Sequence, residues 1–215
     1  MSLTSLIKIY NSKFSEDFCD EVIKLFKKEN GKHAGCFGKG EVNTTVKNTQ
    51  DYKIPSVKGD FHDGQNTPNI EKWIDIDNHI HDVLSPTINS YILEINSTLD
   101  GSLHGNLYLP ERDYNDTGHQ IQEYIKNEGH YQRYHNDFSI INGTGYYRIL
   151  TYIIYLNTID EGGETVFFDD YKIKPTVGNI IIFPSTWTYP HCGNMPLSDN
   201  KYIITGWLYT SHTDP

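Results

Sequence analysis

His135-Asn136-Asp137 lies in a stretch, YQRYHNDF, dense in strand-forming residues. Side chains two apart on a strand point the same way, so His135 and Asp137 share one face. On an inward face this pair is costly to bury unless the carboxylate finds a charge partner or a metal. An isolated HxD is short and common and serves equally well at an exposed strand end. Two later features give it weight. His191 follows the apolar run NIIIFP in the turn-like WTYPHCGN, and Lys201 opens the strand-like KYIITGWLYT. Two imidazoles and one carboxylate can hold a divalent ion from one side and leave the opposite coordination positions open, a pattern suited to Fe(II) and its oxygen chemistry. A neighbouring lysine supplies a point charge for an anionic co-substrate.

These residues need elements to position them, and the chain divides accordingly. The first 30 residues read as a short strand and a helix. Ser15 can cap that helix, Glu16 and Asp17 occupy its first turn, and Phe18, Val22, Leu25 and Phe26 recur at helical spacing before Asn30-Gly31. Gly31 to Pro68 is turn-rich and reads mostly as loop, with room for an irregular strand or two. A second helical pattern runs from about Asn69 to Leu99, with Ser85-Pro86 as the step that kinks or divides it. Gly101 to Gly118 is again turn-rich, with room for a short helix. From Ile121 onward, short segments rich in Ile, Tyr, Val, Thr and Phe alternate with turns such as Asn142-Gly143, Glu161-Gly162-Gly163 and Val177-Gly178-Asn179. That rhythm predicts an antiparallel sandwich or barrel.

Composition narrows the function classes. Acidic residues outnumber basic ones, 28 to 18, for a net charge of −10. No basic run is present, so capture of nucleic-acid phosphates is not expected. No apolar run approaches the roughly 20 residues of a membrane span, and Met1 to Tyr10 lacks the marks of a secretory signal. A cytoplasmic location is the expectation. Cys19, Cys36 and Cys192 are widely spaced and read as reduced, buried or half-buried thiols. A single alanine, Ala34, and three arginines stand against 15 lysines and 25 isoleucines, a bias of AT-rich genomes, whether bacterial, viral or protist.

The segments YRILTYIIYLNTIDEGGETVFF and KPTVGNIIIFPSTWTYPHCGNMPLSDNKYIITGWLY resemble the catalytic core of the prolyl 4-hydroxylase-like family of 2-oxoglutarate- and Fe(II)-dependent dioxygenases. The likeness rests on an ordered set: His135 and Asp137, the EGGET turn at Glu161 to Thr165, Gly178 with Phe183-Pro184, His191, Lys201 and Trp207. It spans about Ile121 to Tyr209. The opening helix, Phe18 to Ile23, is similar in a less specific way. The family signature usually reads KW where this chain has Lys201-Tyr202. The resemblance implies an α+β fold, a double-stranded β-helix (jelly roll) core buttressed by N-terminal helices. It would form one domain over 1–215, with 1–118 as helical and loop support and 119–215 as the catalytic core. His135, Asp137 and His191 would ligate Fe(II), and Lys201 would hold the distal carboxylate of 2-oxoglutarate. With O2 the expected outcome is succinate, CO2 and a hydroxylated, previously unactivated C–H bond, with ascorbate as the reductant to supply in an assay. Tyr124 and Thr165 fall where a hydroxyl could reach the co-substrate, or are strand residues with satisfied hydroxyls. Trp207 walls the same pocket or packs the core.

Three readings differ in what they ask of the site. The first is hydroxylation of a peptidyl proline or similar protein side chain, for which Tyr124, Tyr131, Tyr134, Tyr146 and Tyr147 would form an aromatic channel unless they simply pack the sheet. The second is the same chemistry on a free amino acid or small metabolite; an alkylated nucleobase is disfavoured by the acidic charge. The third is a non-catalytic jelly roll that binds a ligand. His79 and His81 diverge on a helix and make a poor chelate, while His130, shortly before His135, could line the substrate entrance.

Overall fold

In a computed structural model the described residues are 2–38, 40–56, 67–98, 114–140 and 146–210. Among these residues there are thirteen strands: β1 Lys8–Tyr10, β2 His33–Ala34, β3 Lys47–Asn48, β4 Gln50–Lys53, β5 Tyr114–Asp116, β6 Gln120–Tyr124, β7 His130–His135, β8 Tyr147–Tyr155, β9 Thr165–Phe167, β10 Tyr171–Ile173, β11 Ile180–Pro184, β12 His191–Gly193 and β13 Lys201–Thr210. Two α-helices, α1 Glu16–Lys28 and α2 Ile70–Thr98, and a 3-10 turn at Leu3–Leu6 complete them. The larger sheet runs β1-β11-β8-β13-β6-β4-β2, with β5 also on β13; the smaller runs β10-β9-β12-β7-β3. All recorded pairings are antiparallel. The architecture is a jelly-roll sandwich with two helices, as the sequence led one to expect.

The central strands explain why their sequences do not alternate. Between the sheets lie Ile153, Tyr155, Phe167, Ile181, Phe183 and Ile203. Their chain neighbours Ile154, Ile180, Ile182, Ile204 and Tyr152 belong to the other cluster, packed with the helices. Strands covered on both faces need apolar residues at every position. The helices supply the covering stripe: Cys19, Val22, Ile23, Leu25 and Phe26 from α1, and Trp73, Ile76, Ile80, Leu84, Ile88, Tyr91, Ile92 and Ile95 from α2. That spacing of three and four is the buried face of an amphipathic helix.

Ser15 caps α1 by accepting from the Phe18 amide at 3.2 Å. Pro86 does not divide α2, which runs unbroken for 29 residues. Beside it the Thr87 hydroxyl donates to the Val83 carbonyl at 2.8 Å and the Ser90 hydroxyl to the Pro86 carbonyl at 2.9 Å, so side chains serve carbonyls in the turn that the proline disturbs.

The N-terminal half is less helical than the sequence implies. β1 borders β11, β4 pairs with β6 and β3 with β7, so both sheets recruit strands from residues 8–53. The short strand expected before α1 and the irregular strands expected in 31–68 are present, each two to four residues long. The thiols are split: Cys19 and Cys192 are buried, whereas Cys36 is exposed, contrary to expectation, and none forms a disulfide. The short helix expected in 101–118 falls largely outside the described residues. Among those residues no helix is long and apolar enough to cross a membrane.

Glu29 ties the two helices together. Its carboxylate accepts from Trp73 Nε1 at 2.9 Å, Asn69 Nδ2 at 2.8 Å and the Thr67 hydroxyl at 2.8 Å. Burial pushes its pKa up, but these three bonds and Lys32 outweigh that and hold it below the ordinary range. A depressed carboxyl stabilises the fold above its unfolded pKa and ceases to as pH falls through the folded one. Glu29→Ala strands the Trp73 N–H and is expected to cost about 2–3 kcal/mol. Urea denaturation at pH 7 measures this, and the loss should shrink at pH 3.

Candidate metal centre and co-substrate pocket

His135 ends β7 and His191 opens β12, and the two are directly paired across the small sheet. Residues opposed in this way have Cβ atoms about 4.5–5.5 Å apart, and here the imidazole centroids are 4.3 Å apart. Sequence placed His191 in a turn; pairing with both β7 and β9 makes it a strand residue. Asp137, conversely, lies beyond the end of β7. Its carboxylate nonetheless lies on the same side of the chain as the His135 imidazole. Its Oδ1 is 3.9 Å from His135 Nε2 and its Oδ2 3.5 Å from His191 Nε2.

Each imidazole is oriented from behind. His135 Nδ1 lies 3.1 Å from the Arg133 carbonyl and His191 Nδ1 3.1 Å from the Tyr189 carbonyl. A carbonyl can only accept, so each Nδ1 carries the proton and each Nε2 turns its lone pair toward Asp137. The Thr151 hydroxyl donates to Asp137 Oδ2 at 2.9 Å and is itself 2.9 Å from the Ser185 hydroxyl. Burial, then His191, depresses the His135 pKa to about 4, keeping the ring neutral at pH 7. Burial pushes the Asp137 carboxyl up, but His191, His135, Thr151 and Trp207 together hold it below its usual value. One ligand atom from each of His135, Asp137 and His191 lies within 4.8 Å of the others. Two imidazoles and a carboxylate suit a divalent first-row ion, Fe(II) included.

The three residues open onto a cavity of ≈ 360 Å³. Alternate residues of β13, namely Lys201, Ile203, Thr205 and Trp207, form one wall, and Gln120, Gln122 and Tyr124 of β6 extend it. Lys201 faces Tyr124 across the ladder and is 1% exposed. Its Nζ donates to the Gly163 carbonyl at 2.9 Å and sits 4.0 Å from the Tyr124 ring centroid. Burial lowers its pKa to about 7, opposed by Glu164. The carbonyl comes from the EGGET turn, where Gly162 has φ +70° and a Cβ there would lie 2.3 Å from the Met195 carbonyl oxygen. Only glycine fits that position.

The weaker candidates also line this cavity. Tyr124 donates to Gln122 Oε1 at 3.0 Å, and the Thr165 hydroxyl is 2.8 Å from that of Tyr155. Trp207 stands three alternate positions along β13 from Lys201, at the metal end. Its indole lies under the Arg148 guanidinium, 3.7 Å from Cζ to the ring centroid. Of the proposed tyrosine channel, Tyr124 and Tyr131 line the cavity, while Tyr146 packs against Tyr209 and Tyr134 is exposed. His130 bonds the Glu128 carbonyl at 2.9 Å and is not part of the lining.

Sequence reasoning missed Arg148, Thr151 and Lys47. A signal existed for the first: it is one of three arginines and stands inside the apolar strand YRILTYIIYL. Thr151 and Lys47 carry no such mark. A buried network was also missed: His119 Nδ1 is 2.6 Å from the Tyr152 hydroxyl and its Nε2 3.6 Å from Asp77, on the helix side of the large sheet.

Residues 119–209 match the family model described as the 2OG-Fe(II) oxygenase superfamily. This stretch is a 2OG-Fe(II) oxygenase domain. It contains His135, Asp137, His191 and Lys201, and the resemblance read from the sequence is borne out. The domain is thus that of a 2-oxoglutarate- and Fe(II)-dependent dioxygenase, which uses O2. No curated protein matches the chain by sequence. Among solved structures it is similar to the viral collagen prolyl hydroxylase of Paramecium bursaria Chlorella virus-1, in its 2-oxoglutarate complex, at 19% identity and TM-score 0.59, covering 95% of this chain and 96% of that one. A Trichoplax adhaerens prolyl hydroxylase bound to a hypoxia-inducible-factor peptide gives 19% identity and TM-score 0.65, covering 97% and 84%. A Pseudomonas putida prolyl-4-hydroxylase gives 16% and 0.55, covering 94% and 91%. At such identities the likeness is one of fold, and the three share the oxygenase jelly roll.

Thr151→Val removes the hydroxyl that orients Asp137. The oxygenase should then bind Fe(II) about tenfold more weakly and lose about 1 kcal/mol of stability. Anaerobic titration and urea denaturation give the two numbers, and an unchanged affinity would deny Thr151 this role.

Proposed function

We propose that the oxygenase hydroxylates a peptidyl proline or a similar protein side chain, with residues 1–215 working as one unit. The observation that carries this reading is a buried, unpartnered donor, Arg148 Nε, beside Asp137 in the cavity lining. The Trp207 indole N–H, by contrast, is turned to the Asp137 carboxylate, whose pKa it helps to lower; both residues line the cavity with Asp137. Leaving a donor such as Arg148 Nε unsatisfied costs about 1–3 kcal/mol. A peptide carbonyl, which only accepts, satisfies Arg148 Nε and so fixes a substrate backbone beside the centre. Two of the similar structures are prolyl hydroxylases of named protein substrates, collagen and a hypoxia-inducible-factor peptide, which supports the same substrate class here.

His135, Asp137 and His191 would hold Fe(II) through Nε2, a carboxylate oxygen and Nε2. The chemistry that the ion supplies when bound is oxidative decarboxylation of 2-oxoglutarate to succinate and CO2, with one oxygen atom placed on the substrate carbon. Everything else falls to the chain's own residues. Lys201 binds the distal carboxylate as a buried point charge, with the hydroxyls of Tyr124 and Thr165 beside it. Ile153 and Ile203, apolar members of the lining, exclude water from the space between Lys201 and the centre, which strengthens the charge interactions inside. Arg148 orients the substrate. Thr151 holds Asp137 with its charge toward the imidazoles.

Three measurements test the reading. Proline-containing peptides should stimulate succinate release, whereas stimulation by free amino acids or small metabolites alone would favour the second substrate class. His135→Ala should abolish turnover and metal binding with the fold retained; full activity would defeat the assignment. Lys201→Ala should weaken 2-oxoglutarate by about 2–5 kcal/mol.

The pH dependence follows from the same lysine. Without ligand its pKa is lowered to about 7 by burial, and a bound carboxylate favours the charged form, raising it. Binding above pH 7 therefore takes up a proton. Affinity should be greatest below pH 7 and fall about tenfold per unit above it, a trend that calorimetry from pH 6 to 9 follows. A flat profile would place the carboxylate elsewhere.

A further inference from the structure

Tyr131 reaches His135 by way of an irregularity in β7. On β12, His191 and Gly193 are two residues apart; their partners on β7, His135 and Tyr131, are four apart. In a regular strand a separation of four residues is about 13 Å. Here the Tyr131 and His135 rings stack with centroids 3.8 Å apart and planes 13° from parallel. Bulges next to active sites commonly re-aim a side chain, and this one lays a phenol ring flat on an imidazole.

The ring is itself anchored. Lys47 on β3 pairs with Tyr131 in register, and its Nζ is 5.5 Å from the ring centroid. Lys47 is 4% exposed and held by Asp51 Oδ2 at 2.8 Å and the Cys36 carbonyl at 3.3 Å. Asp51 is fixed in turn by the Thr49 hydroxyl at 2.7 Å and Gln120 Nε2 at 2.6 Å. Lys47 stands on the small sheet and Asp51 on the large one, so this ion pair joins the two sheets beside the aromatic stack.

We infer that Tyr131 is a positioning residue for the metal centre: its ring sets the plane of the His135 imidazole, and the Lys47–Asp51 pair holds that ring in place. The bond from Nδ1 to the Arg133 carbonyl selects the tautomer but leaves the imidazole free to rock about the N–H···O line. Contact over a whole ring face removes that freedom. The proposal rests on the metal-centre reading of His135, Asp137 and His191. It gives Tyr131 work that an aromatic substrate channel does not require.

The test is titration of the metal-free full chain with Co(II), followed by its visible ligand-field absorption. Wild-type protein should bind Co(II); if it does not, the metal-centre reading itself fails. Tyr131→Phe keeps the ring and should retain affinity within about twofold, with an unchanged spectrum. Tyr131→Leu keeps bulk but loses the flat face, and should bind about 10–100-fold more weakly with an altered band. Urea denaturation of the metal-free variants separates this from loss of fold, and Tyr131→Met takes the place of a leucine variant that does not fold. Wild-type affinity and spectrum in the leucine variant would overturn the proposal, as would a phenylalanine variant as impaired as the leucine one.

Discussion

Two imidazoles and a carboxylate, each with a lone pair directed at the same small volume, do not converge unaided. Their electron pairs repel, their burial costs solvation, and the carboxylate carries a charge that the interior penalises. What holds them is the antiparallel pairing of β7 with β12, which sets His135 opposite His191 with a spacing fixed by backbone hydrogen bonds. Around that pair the protein spends further polar groups: the Arg133 and Tyr189 carbonyls on the rings, and Thr151 with Ser185 on Asp137. The apolar bulk of the sandwich gives this arrangement a rigid frame.

The same frame separates two kinds of charge. Asp137 sits at one end of the cavity and Lys201 at the other, with Ile153 and Ile203 among the residues lining the space between. β13 accomplishes this with its period of two, carrying Lys201, Ile203, Thr205 and Trp207 in sequence along one face. Its other face, with Tyr202, Ile204 and Leu208, packs with the helices. One strand thus serves the hydrophobic core and the chemistry at once, and a slip of one residue would exchange them.

The N-terminal half does more than cover a sheet. β3 brings Lys47 to the cavity lining and β4 sets Asp51 behind it, where a buried ion pair costs solvation on both sides and is a poor source of net stability. Its worth lies in geometry, since it fixes neighbouring groups in place. Glu29 has a comparable part between α1 and α2, offset from the cavity, where it locks the helical layer that the large sheet leans on.

Much of this was legible in the chain alone. The capped start of α1, the long apolar stripe of α2 and the run of short β segments after Ile121 follow from local propensity and periodicity, which act between near neighbours. His135, Asp137, His191 and Lys201 stood out because imidazoles and charges amid strand-forming residues demand a reason. What pairing decided was not legible: that His191 lies on a strand and Asp137 beyond one, that β3 and β4 join both sheets, and that Arg148 and Thr151 border the centre. Such facts depend on which distant segments share hydrogen bonds, and no local pattern encodes that register. The bulge that lays Tyr131 on His135 is the clearest instance, since four residues facing two exist as a relation only once both strands are in place.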